Sequence, residues 1–369
     1  MNAGIYDTEH FETTHALIRL LDNGKNKITI FIVADLAPVL KKMLRSEGIE
    51  YEWHFLQRNK LINSFIIYRY CKRNKIDILF LNTVAQHHIL FGFLCIFLKK
   101  IKTVLTIHGA NSHFKPAVKL GLSSFLRYAG KKILTKNVTH FATLLSSTKL
   151  YVQKTFQPKQ EVICIPGSFF ENESYPITDT FLKIVVPGSV DFKRRNYDFV
   201  LKLLGELNIK SRIEFVLLGG IAENNKIMLT QFKAFDSDLV KIKTYDEPFI
   251  DTGEYETQLK TCDFILAPIQ KFFEDESSIS EEYGVTKSSG TFFDAIRYGK
   301  PLLISADISI PEELEKQCIR YHTVQDLASF LENLNFEKKL KYSQMAVSNS
   351  LNFTLENIRK ALPLFFINL

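Results

Sequence analysis

Residues Glu281–Ile304 read EEYGVTKSSGTFFDAIRYGKPLLI and combine a polar loop, a short helix and a strand. Gly284–Gly290 is rich in glycine, serine and threonine, and the apolar residues that follow it have helical spacing. Gly299 stands where a helix C-cap belongs, directly before a Lys-Pro pair that stops the helix. The apolar run Leu302–Ile304 is typical of a buried strand. This loop, helix and strand indicate one repeat of an α/β domain.

The loop before this helix is a candidate phosphate-binding site. A small-residue loop that opens a helix leaves backbone N–H groups free at the positive end of the helix dipole. Lys287 would add a full positive charge. The residues that would supply backbone or hydroxyl donors are Ser288, Ser289, Gly290 and Thr291. An ordinary helix capped by Ser288 or Ser289 explains the same residues, so both interpretations stay open at this point.

A second stretch with the same character lies about 100 residues earlier in the chain. Val186–Asn196 begins at the end of an apolar strand, continues through Gly188 and Ser189, and carries three cations in a row before a helix. These cations are Lys193, Arg194 and Arg195. Arginine matches the fork geometry of phosphate oxygens, and lysine supplies a point charge. A solvated basic turn is the alternative, but two such loops in one half of the chain favour a nucleotide site.

Together these stretches resemble glycosyltransferases of the GT-B fold, especially the retaining, nucleotide-sugar-dependent group (glycosyl transferases group 1, family 4-like). Asp294–Pro301 resembles that group's acidic residue, alanine, hydrophobic pair, glycine and proline before a core strand, with Asp where Glu is usual. Val186–Asn196 resembles its glycine loop with basic residues, and Val162–Gly167 is similar to the turn that ends its first domain. The specific part of the resemblance runs from Val162 to Ile304.

The resemblance implies a donor site for a UDP-sugar or GDP-sugar in the second half of the chain. One of the three consecutive cations, together with Lys287, would neutralise the departing diphosphate, so neither a metal nor another cofactor is expected. Asp294 would bind the ribose hydroxyls and Phe249 would lie near the base, although a surface acid and a plain turn are the alternatives. The residues assigned to the donor are Gly188, Ser189, Lys193, Arg194, Arg195, Phe249, Lys287, Ser288, Ser289, Gly290, Thr291 and Asp294.

One departure from the group concerns the sugar side of the site. The group usually places a glutamate eight positions before the residue that corresponds to Asp294, where this chain has Thr286. The triplet Glu282–Gly284 resembles the start of the usual motif but lies four residues too early. The assignment of a carboxylate to the transferred sugar therefore stays open.

The candidate catalytic residues follow strands of the first half or belong to the loops above. His108 follows the strand Val104–Ile107, and similar enzymes carry a histidine there that contacts the sugar or the acceptor; a structural histidine is the alternative. His10 and Glu9 follow the first strand, where an inverting enzyme would place its general base, although an acid-rich helix start also explains Glu9. The candidates are His108, His10, Glu9, Lys287 and Arg194.

Composition limits the class of protein. A chain of 369 residues, 46% hydrophobic and 24% charged, suits two globular domains. The net charge of +7 favours anionic partners. The five cysteines are dispersed without paired spacing, which predicts free thiols in a reducing compartment. Neither half has the G-x-G-x-x-G fingerprint after its first strand, which argues against a dehydrogenase.

Strands alternate with helices through both halves, which predicts parallel, doubly wound sheets. The predicted fold is α/β, of GT-B type, with two Rossmann-like domains facing a cleft. The predicted bounds are an N-terminal acceptor domain at 1–168, a linker at 169–180, and a C-terminal donor domain at 181–345. By resemblance, a C-terminal helix within 346–369 packs back on the first domain.

The sequence therefore predicts a glycosyltransferase that transfers a hexose-like unit to a glycan or lipid-linked glycan, with retention preferred. A sugar-nucleotide epimerase of the same fold and an inactive nucleotide- or glycan-binding paralogue are the alternatives. The expected location is the cytoplasm or the inner face of the membrane, with a role in polysaccharide biosynthesis. Phe91–Lys102 combines aromatic residues with a basic tail that suits an anionic membrane, although a buried helix with a solvated end also explains it. No nucleic-acid partner is expected, because basic residues occur in both halves.

Overall fold

The computed structural model describes residues 1–44, 51–57, 61–118, 120–173, 175, 177, 179–208, 211–221, 225–275 and 278–363. Contacts between Cα atoms divide the chain into two compact units. Unit 1 contains Met1–Ser168, Glu274–Ser288 and the described chain from Leu355 onward, and unit 2 contains Phe169–Phe273 and Ser289–Thr354. No helix in these described ranges combines the length and the apolarity needed to cross a membrane.

The strands are β1 Asn2–Asp7, β2 Lys27–Val33, β3 Glu52–Leu56, β4 Ile78–Leu81, β5 Lys102–Ile107, β6 His140–Thr143, β7 Glu161–Cys164, β8 Leu182–Pro187, β9 Ile213–Leu218, β10 Val240–Lys243, β11 Phe264–Ala267, β12 Phe272–Glu274, β13 Ser280–Glu282, β14 Leu302–Ser305 and β15 Cys318–Tyr321. The α-helices are α1 Phe11–Leu21, α2 Ala37–Leu44, α3 Asn63–Arg73, α4 His88–Phe97, α5 Ala110–Phe114, α6 Leu122–Asn137, α7 Ser146–Phe156, α8 Tyr197–Glu206, α9 Ile227–Lys233, α10 Thr252–Thr261, α11 Gly290–Arg297, α12 Val324–Glu332, α13 Phe336–Ser350 and α14 Leu355–Ala361.

Unit 1 is built on a parallel seven-stranded sheet in the order β3-β2-β1-β4-β5-β6-β7. In this register Ile5 of β1 lies opposite Ile30 of β2 and Phe80 of β4, and all three side chains are buried. The inner strands β2, β1, β4 and β5 are buried along nearly their whole length, as expected where helices cover both faces of a parallel sheet. One buried cluster joins strand residues such as Leu79 with Ile67 of α3 and other helix residues, which places the core between the sheet and these helices.

Unit 2 repeats the plan with six parallel strands in the order β10-β9-β8-β11-β14-β15. Its core packs Val200 and Leu203 of α8 against Ile184, Phe215 and Phe264 of the sheet. The predicted α/β alternation is therefore confirmed in both units. The edge strand β15 and the short paired strands β12 and β13 were not predicted, because their residues are too few and too polar to show an apolar pattern.

One internal segment lies in a different unit from the one that the predicted bounds give it. Glu274–Ser288, which contains Lys287, belongs to unit 1, although the predicted donor domain at 181–345 includes it. Its backbone is tied to α5, because the Ala110 N–H donates to the Thr286 carbonyl at 2.8 Å. A contact over this distance in sequence has no local signature in the residues.

The C-terminal helix returns to unit 1, as the fold prediction required. The Arg359 guanidinium on α14 donates to the carbonyls of Arg19 at 2.7 Å and Leu20 at 3.1 Å, at the end of α1. These carbonyls are the ones that a helix C-terminus leaves without an intrahelical partner. The last six residues of the predicted segment, 364–369, lie outside the described residues.

Candidate functional site

Each sheet has one place where its chain connections diverge, and the candidate residues cluster there. In unit 1 this place lies between β1 and β4, since the chain leaves β1 toward β2 and leaves β4 toward β5. Loops that follow strands at such a switch point form the usual ligand crevice of an open parallel sheet. The two loops touch here, because the Thr8 hydroxyl donates to the Thr83 carbonyl at 3.2 Å.

The loop after β1 is fixed by Asp7, a residue that sequence reasoning did not select. Its buried carboxylate accepts hydrogen bonds from the backbone N–H groups of Thr8 at 2.7 Å and His10 at 3.1 Å, and from the Thr14 hydroxyl at 2.8 Å. This cap holds the turn into α1 and leaves Glu9 exposed and His10 half-buried. Asp7 thus positions the two predicted residues of this loop, while its own side chain stays buried beneath the loop.

The loops after β1 and β5 bring His10 and His108 together. Their rings stack with centroids 4.2 Å apart and an interplanar angle of 29°. Nε2 of His108 lies 2.8 Å from the Asn82 carbonyl oxygen and 3.3 Å from the Thr83 hydroxyl. A carbonyl oxygen can only accept, so in the neutral ring Nε2 carries the hydrogen and Nδ1 is the basic atom. Asn82 could have been found in the sequence, because it directly follows a buried strand.

The surroundings of His108 keep its ring neutral. Burial lowers the pKa of His108 well below its ordinary value, and the nearby His10 and Lys287 lower it further. The hydrogen bond to the Asn82 carbonyl opposes this shift. A neutral imidazole with a defined tautomer can orient a hydroxyl group or accept its proton at Nδ1.

Lys287 lies in unit 1, beside the histidines. It forms an isolated antiparallel bridge with Gly109, the residue after His108. Its own turn is closed by a hydrogen bond from the Gly284 N–H to the Lys287 carbonyl at 2.8 Å, and Gly284 takes the positive φ of 82° that this turn needs. The structure therefore brings together three of the predicted catalytic residues, His10, His108 and Lys287, in one unit.

The acidic residues around this turn have structural partners. The Glu281 carboxylate is buried at the start of α5 and accepts from the Ser112 N–H at 2.7 Å and the Asn111 N–H at 3.3 Å. Thr286 occupies the position where the resembled group has its glutamate. It is buried, and its hydroxyl oxygen accepts from the Glu282 N–H at 2.7 Å. The Thr286 side chain therefore closes the turn, at the position where the resembled group has a glutamate carboxylate.

In unit 2 the switch point lies between β8 and β11, and the loop after β8 reaches it. Gly188 has a φ of 89°, and its N–H donates to the Leu218 carbonyl at 2.8 Å. A Cβ on Gly219 would lie 2.0 Å from the Gly188 carbonyl oxygen, so the loops after β8 and β9 touch without room for a side chain. The Asn196 N–H donates to the Pro268 carbonyl at 2.6 Å and joins the same loop to the end of β11.

The three cations of this loop have different surroundings. The Arg195 guanidinium folds back on its own loop and donates to the carbonyls of Pro187 at 2.7 Å and Ser189 at 2.9 Å. The Arg194 guanidinium is exposed; its Nε lies 3.2 Å from the Asp191 carboxylate, and its Cζ lies 5.2 Å from the centroid of the Phe273 ring. Lys193 is exposed as well. Arg195 therefore shapes the loop, while Arg194 and Lys193 remain accessible to a ligand.

The start of α11 is capped by Ser289, whose hydroxyl oxygen accepts from the Thr291 N–H at 3.4 Å. Ser289 and Thr291 are buried, whereas Gly290 is exposed. The ordinary capped helix considered for this stretch is thus present. Its exposed first residue keeps the helix N-terminus open to solvent. Ser288 is half-buried and belongs to unit 1.

Asp294 lies one turn inside α11 and has a partner that was not predicted. The Tyr255 hydroxyl of α10 donates to its carboxylate at 2.9 Å. Burial raises the pKa of Asp294 to about 6, although Tyr255, Arg297 and Arg195 act in the opposite direction. Asp294 is therefore a partly buried acid with a hydrogen-bond donor on one oxygen, and not a solvated surface residue.

Phe249 follows β10 and is 83% exposed, so its ring is available for stacking. The loop that carries it touches the loop after β9, because a Cβ on Gly220 would lie 1.9 Å from the Pro248 carbonyl oxygen. The loops after β8, β9 and β10 therefore form a continuous edge of unit 2. The predicted donor residues of this unit lie along that edge and on α11.

Comparison with known proteins identifies the type of fold. Neither a protein-family model nor a curated protein matches the sequence. Among solved structures, sucrose-phosphate synthase from Thermosynechococcus elongatus is similar over 100% of this chain and 98% of its own, with a TM-score of 0.62 and 11% identity. UDP-GlcNAc 2-epimerase from Neisseria meningitidis bound to UDP-GlcNAc is similar over 100% of both chains, with a TM-score of 0.59 and 13% identity.

The lipopolysaccharide outer core galactosyltransferase WaaB in its apo form is also similar, over 100% of this chain and 99% of its own. Its TM-score is 0.57 at 12% identity. Identities this low establish a shared backbone plan and nothing about shared chemistry. The two parallel sheets, their strand orders and these whole-length similarities agree on one conclusion. The chain has the GT-B fold of glycosyltransferases and UDP-GlcNAc 2-epimerases.

Proposed function

We propose that this protein is a glycosyltransferase that moves a sugar from a nucleoside-diphosphate sugar to a glycan or lipid-linked glycan acceptor, with retention of configuration. The observation that carries this proposal is the loop after β8. It lies at the switch point of unit 2, contains the positive-φ Gly188, and presents exposed Arg194 and Lys193. Cations on a glycine loop at such a point suit a diphosphate.

The neighbouring residues suit the rest of a nucleotide. The Asp294 carboxylate can accept hydrogen bonds from ribose hydroxyls, since Tyr255 donates to only one of its oxygens. The exposed Phe249 ring offers a face for a base. The donor would be a UDP-sugar or a GDP-sugar. The exposed cations would neutralise the leaving diphosphate, so the proposal requires no metal ion.

The histidine pair of unit 1 supplies the groups that would act on hydroxyls. His108 is held neutral with Nδ1 as its acceptor, and His10 stacks on it. Such a pair can orient a hydroxyl of the transferred sugar or of the acceptor. Lys287 would contribute positive charge beside them. The exposed carboxylate of Glu9 lies in the same loop as His10 and is the candidate base if the reaction inverts.

The solved structures of similar fold support glycosyl transfer or sugar-nucleotide chemistry in general. Two of them are a sucrose-phosphate synthase and a galactosyltransferase, and a third is a 2-epimerase bound to UDP-GlcNAc. The epimerase is the second candidate function, favoured by its similarity over the full length of both chains. A binding-only paralogue is the third, because Thr286 stands where the sugar-side glutamate is usual.

The first test is a thermal-shift panel of UDP, GDP, ADP, CMP and their common sugars. A ligand that binds the native state raises the unfolding temperature with its concentration. We expect a shift with one diphosphate, and in Arg194→Ala the shift should be smaller at each ligand concentration. Arg212→Ala, at an exposed arginine elsewhere in unit 2, is the matched control and should shift like the wild type. No shift with any nucleotide would remove the donor site.

The second test distinguishes the three candidate functions once the donor is known. A transferase releases the nucleoside diphosphate and joins the sugar to an acceptor, and an NMR analysis of the product's anomeric configuration tests retention. An epimerase converts the donor without a net release of nucleotide. A protein that only binds gives the thermal shift and neither product.

We also propose that the protein acts in the cytoplasm or at the inner face of the membrane, in polysaccharide biosynthesis. All five cysteines are free, and Cys71, Cys95 and Cys262 are buried. Burial raises the pKa of the Cys71 and Cys95 thiols to about 12, which keeps them protonated and unreactive. Free thiols of this kind suit a reducing compartment.

A further inference from the structure

Basic residues occur in both halves of the chain, but the net positive charge is concentrated in one segment. Between Trp53 and Gln160 the sequence holds 18 lysines and arginines and one acidic residue, Asp77. The rest of the chain has 29 basic and 39 acidic residues and is net negative, although the whole chain carries +7. The segment contains α3, α4, α5, α6 and α7, all in unit 1. Its excess charge therefore belongs to unit 1.

Three of these helices lie side by side on one face of the sheet. The crossovers from β3 to β4, from β4 to β5 and from β5 to β6 run in the same direction across the sheet. Right-handed crossovers in one direction place their helices on one face. The buried cluster of that face includes Ile67 of α3, Phe91 of α4 and Leu134 of α6. The rings of Tyr68 and Phe97 are 6.2 Å apart and join α3 to α4.

The helices α4 and α6 meet closely through two glycines. A Cβ on Gly92 would lie 2.6 Å from Cγ2 of Ile133, and a Cβ on Gly130 would lie 2.5 Å from the backbone nitrogen of Ile89. Helices that approach this closely at two points form a stable pair. The outward sides of α3, α4 and α6 are therefore parts of one firm surface, which we call the helical face.

The helical face exposes large apolar side chains. Phe65 on α3 is 53% exposed, Phe97 on α4 is 62% exposed, and Phe125 on α6 is 55% exposed. Ile66, Phe93 and Leu122 are also exposed, one on each of the same three helices. Exposed large apolar side chains on three packed helices suit an interaction surface.

Cations are interleaved with these rings. The Arg69 guanidinium lies 5.7 Å from the centroid of Phe65, and the Lys72 ammonium lies 5.9 Å from that of Tyr68. On α6 the Lys132 ammonium lies 5.8 Å from the centroid of Tyr128. Aromatic rings with lysines and arginines among them match an anionic membrane interface, where rings enter between headgroups and cations meet phosphates.

We propose that the helical face of α3, α4 and α6 binds the surface of an anionic phospholipid bilayer. The charge selects this partner, because a second copy of the same face would bring like charges together. The exposed phenylalanines favour a lipid surface over nucleic acid, whose non-specific binding depends on phosphate contacts. Membrane binding by this face is not required for the proposed sugar transfer and does not depend on it.

The experiment is co-sedimentation of the full chain with vesicles of phosphatidylcholine alone or with about 30 mol% phosphatidylglycerol, an anionic lipid. We expect the protein to bind the anionic vesicles, and we expect this binding to weaken as the salt concentration rises, because the Debye length becomes shorter. The combined variant Phe65→Ser, Phe97→Ser and Phe125→Ser should bind at least about tenfold more weakly. Arg69→Gln and Lys72→Gln should each weaken binding about fivefold.

Matched controls come from exposed residues of unit 2. Ile227→Ser removes an exposed apolar side chain, and Lys202→Gln removes an exposed charge. Both should bind vesicles like the wild type. The combined phenylalanine variant should keep the circular dichroism spectrum and any nucleotide-induced thermal shift of the wild type, which separates loss of membrane binding from loss of the fold or of the donor site.

Four results would overturn the proposal. The first is no binding of the wild type to anionic vesicles, and the second is equal binding by the combined phenylalanine variant. The third is a dimer in sedimentation velocity that the phenylalanine variant dissociates, which would assign the face to a second copy. The fourth is binding of an arbitrary DNA duplex that needs the cations and not the rings, which would assign it to nucleic acid.

Discussion

The rings of His10 and His108 stack at 4.2 Å although the two residues follow different strands of the unit 1 sheet. A hydrogen bond holds each residue in place, through the backbone N–H of His10 and through the ring of His108. The Asp7 carboxylate accepts from the His10 N–H at 3.1 Å, and the Asn82 carbonyl oxygen lies 2.8 Å from Nε2 of His108. The pair is thus held from both sides of the switch point, and its protonation depends on the charges around it.

Lys287→Ala should reduce turnover by about two orders of magnitude or more, because a positive charge near developing negative charge contributes strongly to catalysis. The fold should persist. The substitution should also raise the pKa of His108, since the Lys287 charge now lowers it. Steady-state kinetics and an NMR titration of His108 would measure the two effects.

Lys25→Ala, at an exposed lysine of unit 1, is the control and should change neither quantity. Near-normal turnover of Lys287→Ala would remove this residue from the proposed mechanism. An unchanged pKa of His108 would contradict the electrostatic coupling between the two side chains.

Arg194 and Arg195 should separate affinity from stability. Arg195→Ala removes two charge-assisted hydrogen bonds to the carbonyls of Pro187 and Ser189 and should lower the free energy of unfolding by about 2–3 kcal/mol. Arg194→Ala removes an exposed ion pair with Asp191 and should cost less than about 1 kcal/mol.

Donor affinity should show the opposite ranking for Arg194. We expect the dissociation constant of the nucleotide to rise at least about tenfold in Arg194→Ala, as for loss of an arginine–phosphate contact. Urea unfolding and calorimetric titration would measure both quantities. Equal effects of the two substitutions on stability would contradict the different surroundings described for them.

Asp294→Asn should change how stability depends on pH. The folded state raises the pKa of Asp294 from an ordinary carboxyl value to about 6, so it holds the proton more tightly than the unfolded chain does. The stability that this proton contributes is therefore fully present below about pH 4, near the pKa of the unfolded chain. It is lost as the pH rises through about 6, the pKa of the folded state. At pH 8 the variant should be more stable than the wild type, by on the order of 2 kcal/mol.

The same substitution should weaken nucleotide binding about tenfold, because it replaces an ionised acceptor of the ribose hydroxyls. Asp198→Asn, at an exposed acid in the first turn of α8, is the matched control and should leave affinity near the wild-type value. Higher affinity of Asp294→Asn at pH 8 would exclude the ribose-binding role.

His88 should make unit 1 sensitive to acid. Burial, followed by the charges of Lys131 and Arg127, lowers the pKa of His88 to about 3. The unfolded chain binds this proton near the ordinary histidine pKa of about 6.5, so stability is complete above that pH and is lost as the pH falls below it. The slope is about 1.4 kcal/mol per pH unit for one such group.

Urea unfolding at several values between pH 5 and pH 7 would measure this slope. In His88→Gln the slope should be shallower by the contribution of one histidine. His322→Gln, at an exposed histidine of unit 2, should leave the slope unchanged. An equal slope in wild type and His88→Gln would show that His88 binds its proton equally well in the folded and unfolded states, which would contradict the lowered pKa.

The layers of the fold follow from local patterns in the sequence. The apolar runs of β2, β8 and β9 are contiguous and bounded by turn residues, so the local pattern alone selects strands there. Glycines and caps were equally local, as at Ser289 and Gly299, which end α11 on either side. The rule that ligands meet the carboxyl ends of parallel strands then selected His10, His108 and Gly188 before any contact was known.

Which of these residues lie together depends on contacts between distant parts of the chain. Lys287 lies in unit 1 because the nearby Glu281 carboxylate accepts hydrogen bonds from N–H groups of α5. This contact spans about 170 residues, and no local pattern encodes it. Arg194 and Arg195 are neighbours with the same charge, yet only the backbone carbonyls around Arg195 gave it a structural role. Strand and helix formation depend on neighbours in sequence, whereas partners, burial and protonation depend on whatever the folded chain brings near.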